Sequence, residues 1–263
     1  MGYRELTAPG SHAPHVACLW IRDAEPHAHE HRIVPDACAD VVWVAGERLV
    51  VAGPATTPVV SQLPAGAWAV GVRFRVGAAG SALGVPAREL LDRRVTLEEL
   101  WGGAAAELAE RLAARPHARA AVALLGAAVA ERLPPPAALD RQVRAAAIRA
   151  GRPGVAVEAL GAEVGLGERQ LRRRFADAVG YGPKTLQRIL RFQRFLALAE
   201  RDGGDLAALA FAAGYADQAH LSRECRRLSG LPPGALLRAG AIAAGERSDS
   251  FKTAAAPPAT IAA

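Results

Sequence analysis

Between residues 14 and 76 the apolar positions fall in short Val-rich runs broken by Gly and Pro. The runs are VACLWI (16–21), ADVVWVAG (39–46), RLVVAG (48–53), TPVVSQL (57–63) and AWAVGVRFRV (67–76). Runs of this length, bounded by turn residues, predict β-strands. Gly46-Glu47 lies between two of them and predicts a tight hairpin. In the last run Arg73 and Arg75 alternate with Val72, Phe74 and Val76, the two-residue period of a half-buried strand. After Pro86 the period lengthens. Thr96 precedes LEELWGGAAAELAERLAAR with Glu98 and Glu99 in the first turn, a capped helix start with acids at the favourable end of the dipole. Residues 118–133 predict a second helix.

Three consecutive prolines, Pro134 to Pro136, fit neither a helix interior nor a central strand and predict a stiff extended connector. Beyond them, over 137–240, no strand is expected. Short helices bounded by glycines carry one local pattern twice, in VEALGAEVGLGERQLRRRFADAVGYGPKTL (157–186) and LAALAFAAGYADQAHLSRECRRLSGLPPGAL (206–236). Each copy has an Ala-rich helix, a glycine turn, an amphipathic helix with arginines and a Gly-x-x-Pro stop. The turn glycines Gly165 and Gly214 are 49 positions apart. Helix, tight turn and polar-faced helix is the helix-turn-helix arrangement. The expected fold class is α+β. A β-rich domain with following helices spans 1–133, a proline linker 134–136, and an all-α domain with two such motifs joined by a long helix 137–240. A disordered tail is expected over 241–263.

In the first copy Leu171 and Phe175 share a core-facing stripe with Ala178 near it. Arg169, Arg172 and Arg173 share another face, and Glu168 and Asp177 lie only at the helix ends. In the second copy Leu221, Cys225 and Leu228 face inward, while Gln218, Ser222 and Arg226 form one outward row and Ala219 with Arg223 the next. Arginine matches the two acceptors of guanine, glutamine pairs with adenine, and alanine meets a thymine methyl. Asp217 stands where an N-cap would accept orphan amides.

Charge supports this division. Residues 1–136 hold 13 basic and 14 acidic side chains, and residues 137–240 hold 17 and 10, almost all the basic ones arginine. A basic block joined to a near-neutral one is the footprint of a polyanion-binding module attached to something else. Half of the chain is apolar (51%), which excludes wholesale disorder. The longest uncharged apolar stretch, Ala120 to Ala130, is 11 residues, short of the roughly 20 that a membrane helix needs. The N-terminus lacks a basic stretch followed by an apolar one, so no secretory signal is expected. Cys18, Cys38 and Cys225 are odd in number and far apart, which argues against a disulfide scaffold and for a reducing, cytoplasmic setting.

The string GYADQAHLSRECRRLSGLPPGAL (214–236) resembles the second helix-turn-helix of AraC-type transcriptional regulators. It has the Gly-aromatic turn, the Asp-Gln start, the Ser-Arg pair, the basic pair Arg226-Arg227, and Gly230 with Pro233 three later. Residues 157–199 resemble the first motif and connecting helix of that family. Leu221 and Cys225 stand where it usually has Phe. The resemblance implies a two-lobed module whose lobes are joined by a helix over about Lys184 to Arg201. Its recognition helices would enter successive major-groove segments. It carries base contacts onto Arg169, Arg172 and Arg173, and onto Gln218, Ala219, His220, Ser222 and Arg223. Lys184, Arg188 and Arg226 are phosphate candidates on charge and location.

The segment ahead resembles an uncharacterised domain found before AraC-type modules, which implies a regulatory role. A small-molecule effector there, RNA polymerase as a further partner, and a monomer or homodimer all stay open. His27, His29 and His31 alternate and on a strand would share a face, as metal ligands could. The polar PHAHEH setting reads instead as a solvated loop, and no metal or cofactor is assigned. Asp36 and Asp40 beside Cys38 could line a pocket or serve turns and caps. Two other classes are weighed. A DNA-repair methyl acceptor or redox sensor needs an activated, commonly zinc-bound cysteine set, and the first domain has only Cys18 and Cys38, so no enzyme is expected. A nucleoid-type binder without sequence preference is disfavoured by the twin motif.

Overall fold

The computed structural model describes residues 2–23 and 29–238, the side chains of 29–31 excepted. Its strands are β1 (Tyr3–Thr7), β2 (Val16–Arg22), β3 (His29–Ile33), β4 (Asp40–Val44), β5 (Leu49–Ala52), β6 (Val59–Leu63) and β7 (Ala69–Phe74). After helix α1 (Ala79–Leu83) and a 3-10 turn at Ala87–Leu90 comes β8 (Arg94–Thr96). Six strands form an antiparallel sheet in the order β1-β2-β7-β4-β5-β8, and β3 pairs only with β6 as a separate ribbon. Alternation sorts the faces. Val41, Val51, Val70, Val72 and Phe74 pack on one side against helices α2 (Leu97–Trp101), α3 (Gly103–Ala113) and α4 (Ala118–Ala130). Trp20 and Ala69 point to the other side and meet Leu63 of the ribbon.

That second cover corrects two expectations. Strand β7 is buried on both faces, so Arg73 is 7% exposed rather than on a solvated row. The His-rich stretch is not a loop throughout. Residues 29–33 form β3, with His29 opposite Leu63 and His31 opposite Ser61, because β6 supplies the ladder that a polar sequence cannot advertise. His27 lies outside the described residues. The Gly46-Glu47 hairpin forms, with Gly46 at φ 83° and the Glu47 N–H donating to the Val44 carbonyl. The Thr96 start is a reciprocal capping box with Glu99. Gly102, at φ 58° and ψ −141°, then divides the expected single helix into α2 and α3.

The prolines mark an extended step followed by a 3-10 turn at Pro136–Ala138. Asp140 then caps α5 (Arg141–Ala150) by accepting from the Val143 N–H at 3.0 Å. The remaining helices are α6 (Leu160–Glu163), α7 (Glu168–Val179), α8 (Pro183–Asp202), α9 (Leu206–Ala213), α10 (Gln218–Ser229) and α11 (Pro233–Arg238). No strand occurs among the described residues from 137 on. The expected tail, 241–263, lies outside the described residues. The first motif's opening helix, α6, is only four residues, continued backward by a 3-10 turn at Val157–Ala159. Gly165 (φ 68°) and Gly214 (φ 91°) take the left-handed conformation that each tight turn demands. One apolar core runs through both lobes, with Leu171, Phe175, Ile189, Phe192, Leu221 and Cys225 at its centre. Val34 and Ala37, from the loop between β3 and β4, are part of it, so the core draws on both sides of the proline connector.

Candidate nucleic-acid interface and an adjoining cavity

Helix α7 has three faces with different fates. Leu171, Phe175 and Val179 are buried in the core. Arg174 turns toward α5, where its guanidinium donates to both Asp140 carboxylate oxygens at 2.7 Å and to the Gln142 side-chain oxygen at 2.8 Å. Arg169, Arg172 and Arg173 are exposed. Arg172 has a partner that spacing alone discounted: Glu168, one turn back, at 2.7 Å. Both side chains are more than two-thirds exposed, so the pair is held weakly and a stronger anion can displace it.

Helix α10 keeps Leu221, Cys225, Leu228 and Ser229 inside. Asp217 caps it by accepting from the His220 N–H at 2.6 Å. Gln218, Ala219, Arg223 and Arg226 are exposed, while His220 and Ser222 are half-buried. The His220 ring meets Tyr215 edge-on, which fixes its direction. The two expected faces are therefore both solvent-facing and internally braced.

The bracing uses arginines that sequence cannot separate from the outward ones. Arg188, expected at a phosphate, donates from Nε and Nη2 to the Glu224 carboxylate of α10 at 2.9 and 3.0 Å. With the two side chains 23% and 14% exposed, the Nε and Nη2 donors are committed to a tie between α8 and α10. Arg194 donates to the Gly151 and Ala213 carbonyls, joining the ends of α5 and α9 to α8. Arg191 lies over the Tyr215 ring. Lys184, in the first turn of α8, stays exposed.

A cavity of about 260 Å³ lies between the ribbon and the open face of the sheet. Val42, Val50, Ala52 and Leu63 give it apolar walls, and Asp36, Asp40 and Arg73 a charged end. The acids beside Cys38 do line a pocket, and Asp36 also serves a turn by accepting from the Cys38 N–H. Asp40 accepts from the Trp20 indole N–H at 2.7 Å and from Arg73 Nε at 3.1 Å. Arg73 donates to the Tyr3 hydroxyl and approaches Glu5 and Asp36. Burial works against the Arg73 charge, but Asp40 and Asp36 more than offset it and hold the guanidinium protonated. Sequence reasoning missed this network; its one signal is an arginine inside a valine run.

Burial pushes the Cys18 thiol well up and the Cys225 thiol to about 12. Both are the opposite of an activated thiolate. All three cysteines are free and buried, and Cys225 is a core residue as expected. Among the described residues no helix is long and apolar enough to cross a membrane.

With this geometry in place, the C-terminal half is a twin helix-turn-helix module. Residues 160–239 match the family model described as a helix-turn-helix domain, and residues 5–96 match a domain of unknown function. The C-terminal module is thus a helix-turn-helix domain, and it follows a domain whose role that match leaves open. No curated protein matches the chain. Among solved structures the chain is similar to ToxT from Vibrio cholerae, at 9% identity over 90% of this chain and 98% of that one, with a TM-score of 0.44. It is also similar to an apo, singly substituted form of ToxT from the same organism, at 10% identity over 84% and 96%, with a TM-score of 0.43.

Proposed function

We propose that the chain is a sequence-specific transcription regulator that sets α7 and α10 into two successive major-groove segments of double-stranded DNA. The observation that carries this reading is the pair of exposed, internally braced helix faces on either side of one 20-residue helix. That helix is about 30 Å long at 1.5 Å per residue, comparable with the roughly 34 Å of one DNA turn. Arg169, Arg172 and Arg173 would read bases in the first segment. Gln218, Ala219, His220, Ser222 and Arg223 would read them in the second. Lys184 and Arg226 are exposed and available to phosphates, whereas Arg188 serves α10. The cavity is the effector site in this reading, since it is concave, mostly apolar and ends in fixed polar groups.

The test is selection of bound fragments from random-sequence DNA with the full chain, followed by titration across salt. The expected outcome is an enriched site with two blocks about one turn apart and a log–log salt slope of roughly −0.9 for each neutralised phosphate. Enrichment no better than bulk competitor DNA would favour a nucleoid-type binder and overturn the reading.

A further inference from the structure

Among the described residues, the N-terminal domain touches the DNA-binding module on two sides, and different parts of that domain make the two contacts. On the sheet side, Arg88 of the 3-10 turn pairs with Asp177 near the end of α7. The Gly180 α-carbon sits so close to Pro54 and the Ala87 carbonyl that a Cβ there would lie 3.1 and 3.3 Å from them. This surface holds the first lobe. On the ribbon side, Arg32 donates from Nη1 to the Ser229 carbonyl at the last turn of α10, at 3.2 Å. The loop from β3 of the ribbon to β4 of the sheet buries Val34 in the shared core, and its Pro35 carbonyl accepts from Gln193 of α8 at 2.6 Å. This surface holds the second lobe and the connecting helix.

The cavity separates these two parts. The sheet contributes Trp20, Val42 and Arg73 to its walls, and the ribbon contributes Arg32, Val60 and Leu63. Strands β3 and β6 pair only with each other, so no ladder hydrogen bond ties ribbon to sheet. Among the described residues, Leu63 of the ribbon joins Cys18, Trp20 and Ala69 in one small apolar cluster, with Tyr3, Val42, Val44 and Ala67 packed against it. A unit held so lightly shifts at small cost. Neither contact covers Arg169, Arg172 and Arg173 of α7 or Gln218, Ala219, Arg223 and Arg226 of α10, which stay exposed. Blocking of the DNA face is therefore not what the contact achieves.

We propose that the ribbon transmits occupancy of the cavity. A molecule seated between ribbon and sheet moves the ribbon, and through Arg32 and Pro35 it re-aims the second lobe while the sheet keeps its hold on the first. DNA affinity is then set by the spacing of the two recognition helices. The inference rests on the effector reading of the cavity, yet the mechanical coupling can be tested without any ligand.

The experiment uses the full chain with spin labels on Ala162→Cys and Ala212→Cys, exposed positions on α6 and α9, one in each lobe. The native cysteines are all buried and stay unlabelled. Pulsed dipolar spectroscopy reads the distance between lobes. Val42→Trp fills the cavity from the sheet side, and Val50→Phe is a smaller filler should the first disturb folding. The expected result is a shift in mean distance on the order of 2 Å, the scale of helix shifts at switching interfaces. With Arg32→Ala added, less than half of that shift should remain. A folded filler variant whose distance distribution matches the parent overturns the proposal, as does a shift that survives Arg32→Ala in full. The readout involves neither DNA nor effector. A failed DNA selection therefore removes the functional reading and leaves the coupling intact, while an unchanged distance removes only the coupling.

Discussion

The arginine at position 188 decides between two uses of one charge, and the structure gives a magnitude for each. Its guanidinium makes two charge-assisted hydrogen bonds to Glu224, at 2.9 and 3.0 Å, with both groups mostly buried. A hydrogen bond to a charged group contributes about 1.5–3 kcal/mol net, and removing one partner of a half-buried pair strands the other. Arg188→Met should therefore cost about 2–3 kcal/mol of stability, with the lower end expected for Glu224→Gln, which keeps one acceptor. For a chain of this size that is a fall in Tm of roughly 4–10 °C. The assay is thermal or urea unfolding of the two single variants and the double variant, beside a DNA-binding titration across salt. Unfolding should give a coupling energy of about 1–2 kcal/mol between the sites, with the log–log salt slope unchanged in all three. A phosphate contact would behave otherwise. Arg188→Met would then flatten the slope by about 0.9, and Glu224→Gln, by releasing the guanidinium, would tighten binding. That pattern would refute the tie.

Two further outcomes follow from the same geometry. Arg172→Ala should relax selectivity at one or two base positions by about 1–3 kcal/mol, whereas Lys184→Ala should weaken all sequences alike and flatten the salt slope by about 0.9; uniform loss from both on a site library would contradict this sorting. His15 is 1% exposed, with neither ring nitrogen hydrogen-bonded among the described residues, and burial followed by Arg144 and His12 lowers its pKa. Below the ordinary value of about 6.5 the unfolded chain binds a proton that the folded chain refuses. Stability should then fall as pH drops from 7.5 to 5.5, with a shallower fall in His15→Gln, and equal slopes by urea midpoint would contradict it.

The helical half was legible because its signals are local. The stripe of Leu171 and Phe175, the cap at Asp217 and the turn at Gly214 each lie within a few residues of what they organise. The strands β1, β3 and β8 were not legible, for a physical reason. Strand β3 reads HEHRI and has no apolar alternation, and its pairing with β6 depends on residues some thirty positions away. The burial of Arg73 was hidden in the same way. Its carboxylates come from Asp36, Asp40 and Glu5 on other segments, and the ribbon that shuts out water is not its neighbour in sequence. Period two correctly predicted which way the side chain points, and nothing in it says that the second face is covered.

The site shows the same limit, and the structure turns it into a statement about charge. Sequence counts every arginine of the second half alike. In the fold, Arg174 and Arg188 cancel against Asp140 and Glu224 on inner surfaces, and Arg194 is committed to backbone carbonyls. Arg169, Arg173, Arg223 and Arg226 have no ion-pair partner among the described residues, and all four are exposed on α7 and α10. Internal pairing thus withdraws acids as well as bases, and it leaves these four on the two helices, with Arg141, Arg152, Lys184 and Arg238 exposed elsewhere. Coulomb attraction in water falls to about 1 kcal/mol per pair at 4 Å, so no single arginine holds a polyanion. Several arginines at the spacing of successive phosphates or base edges can, because each adds its own counterion release. The exposed Glu168–Arg172 pair fits this account as a weak placeholder whose guanidinium is free to exchange partners when a stronger anion arrives.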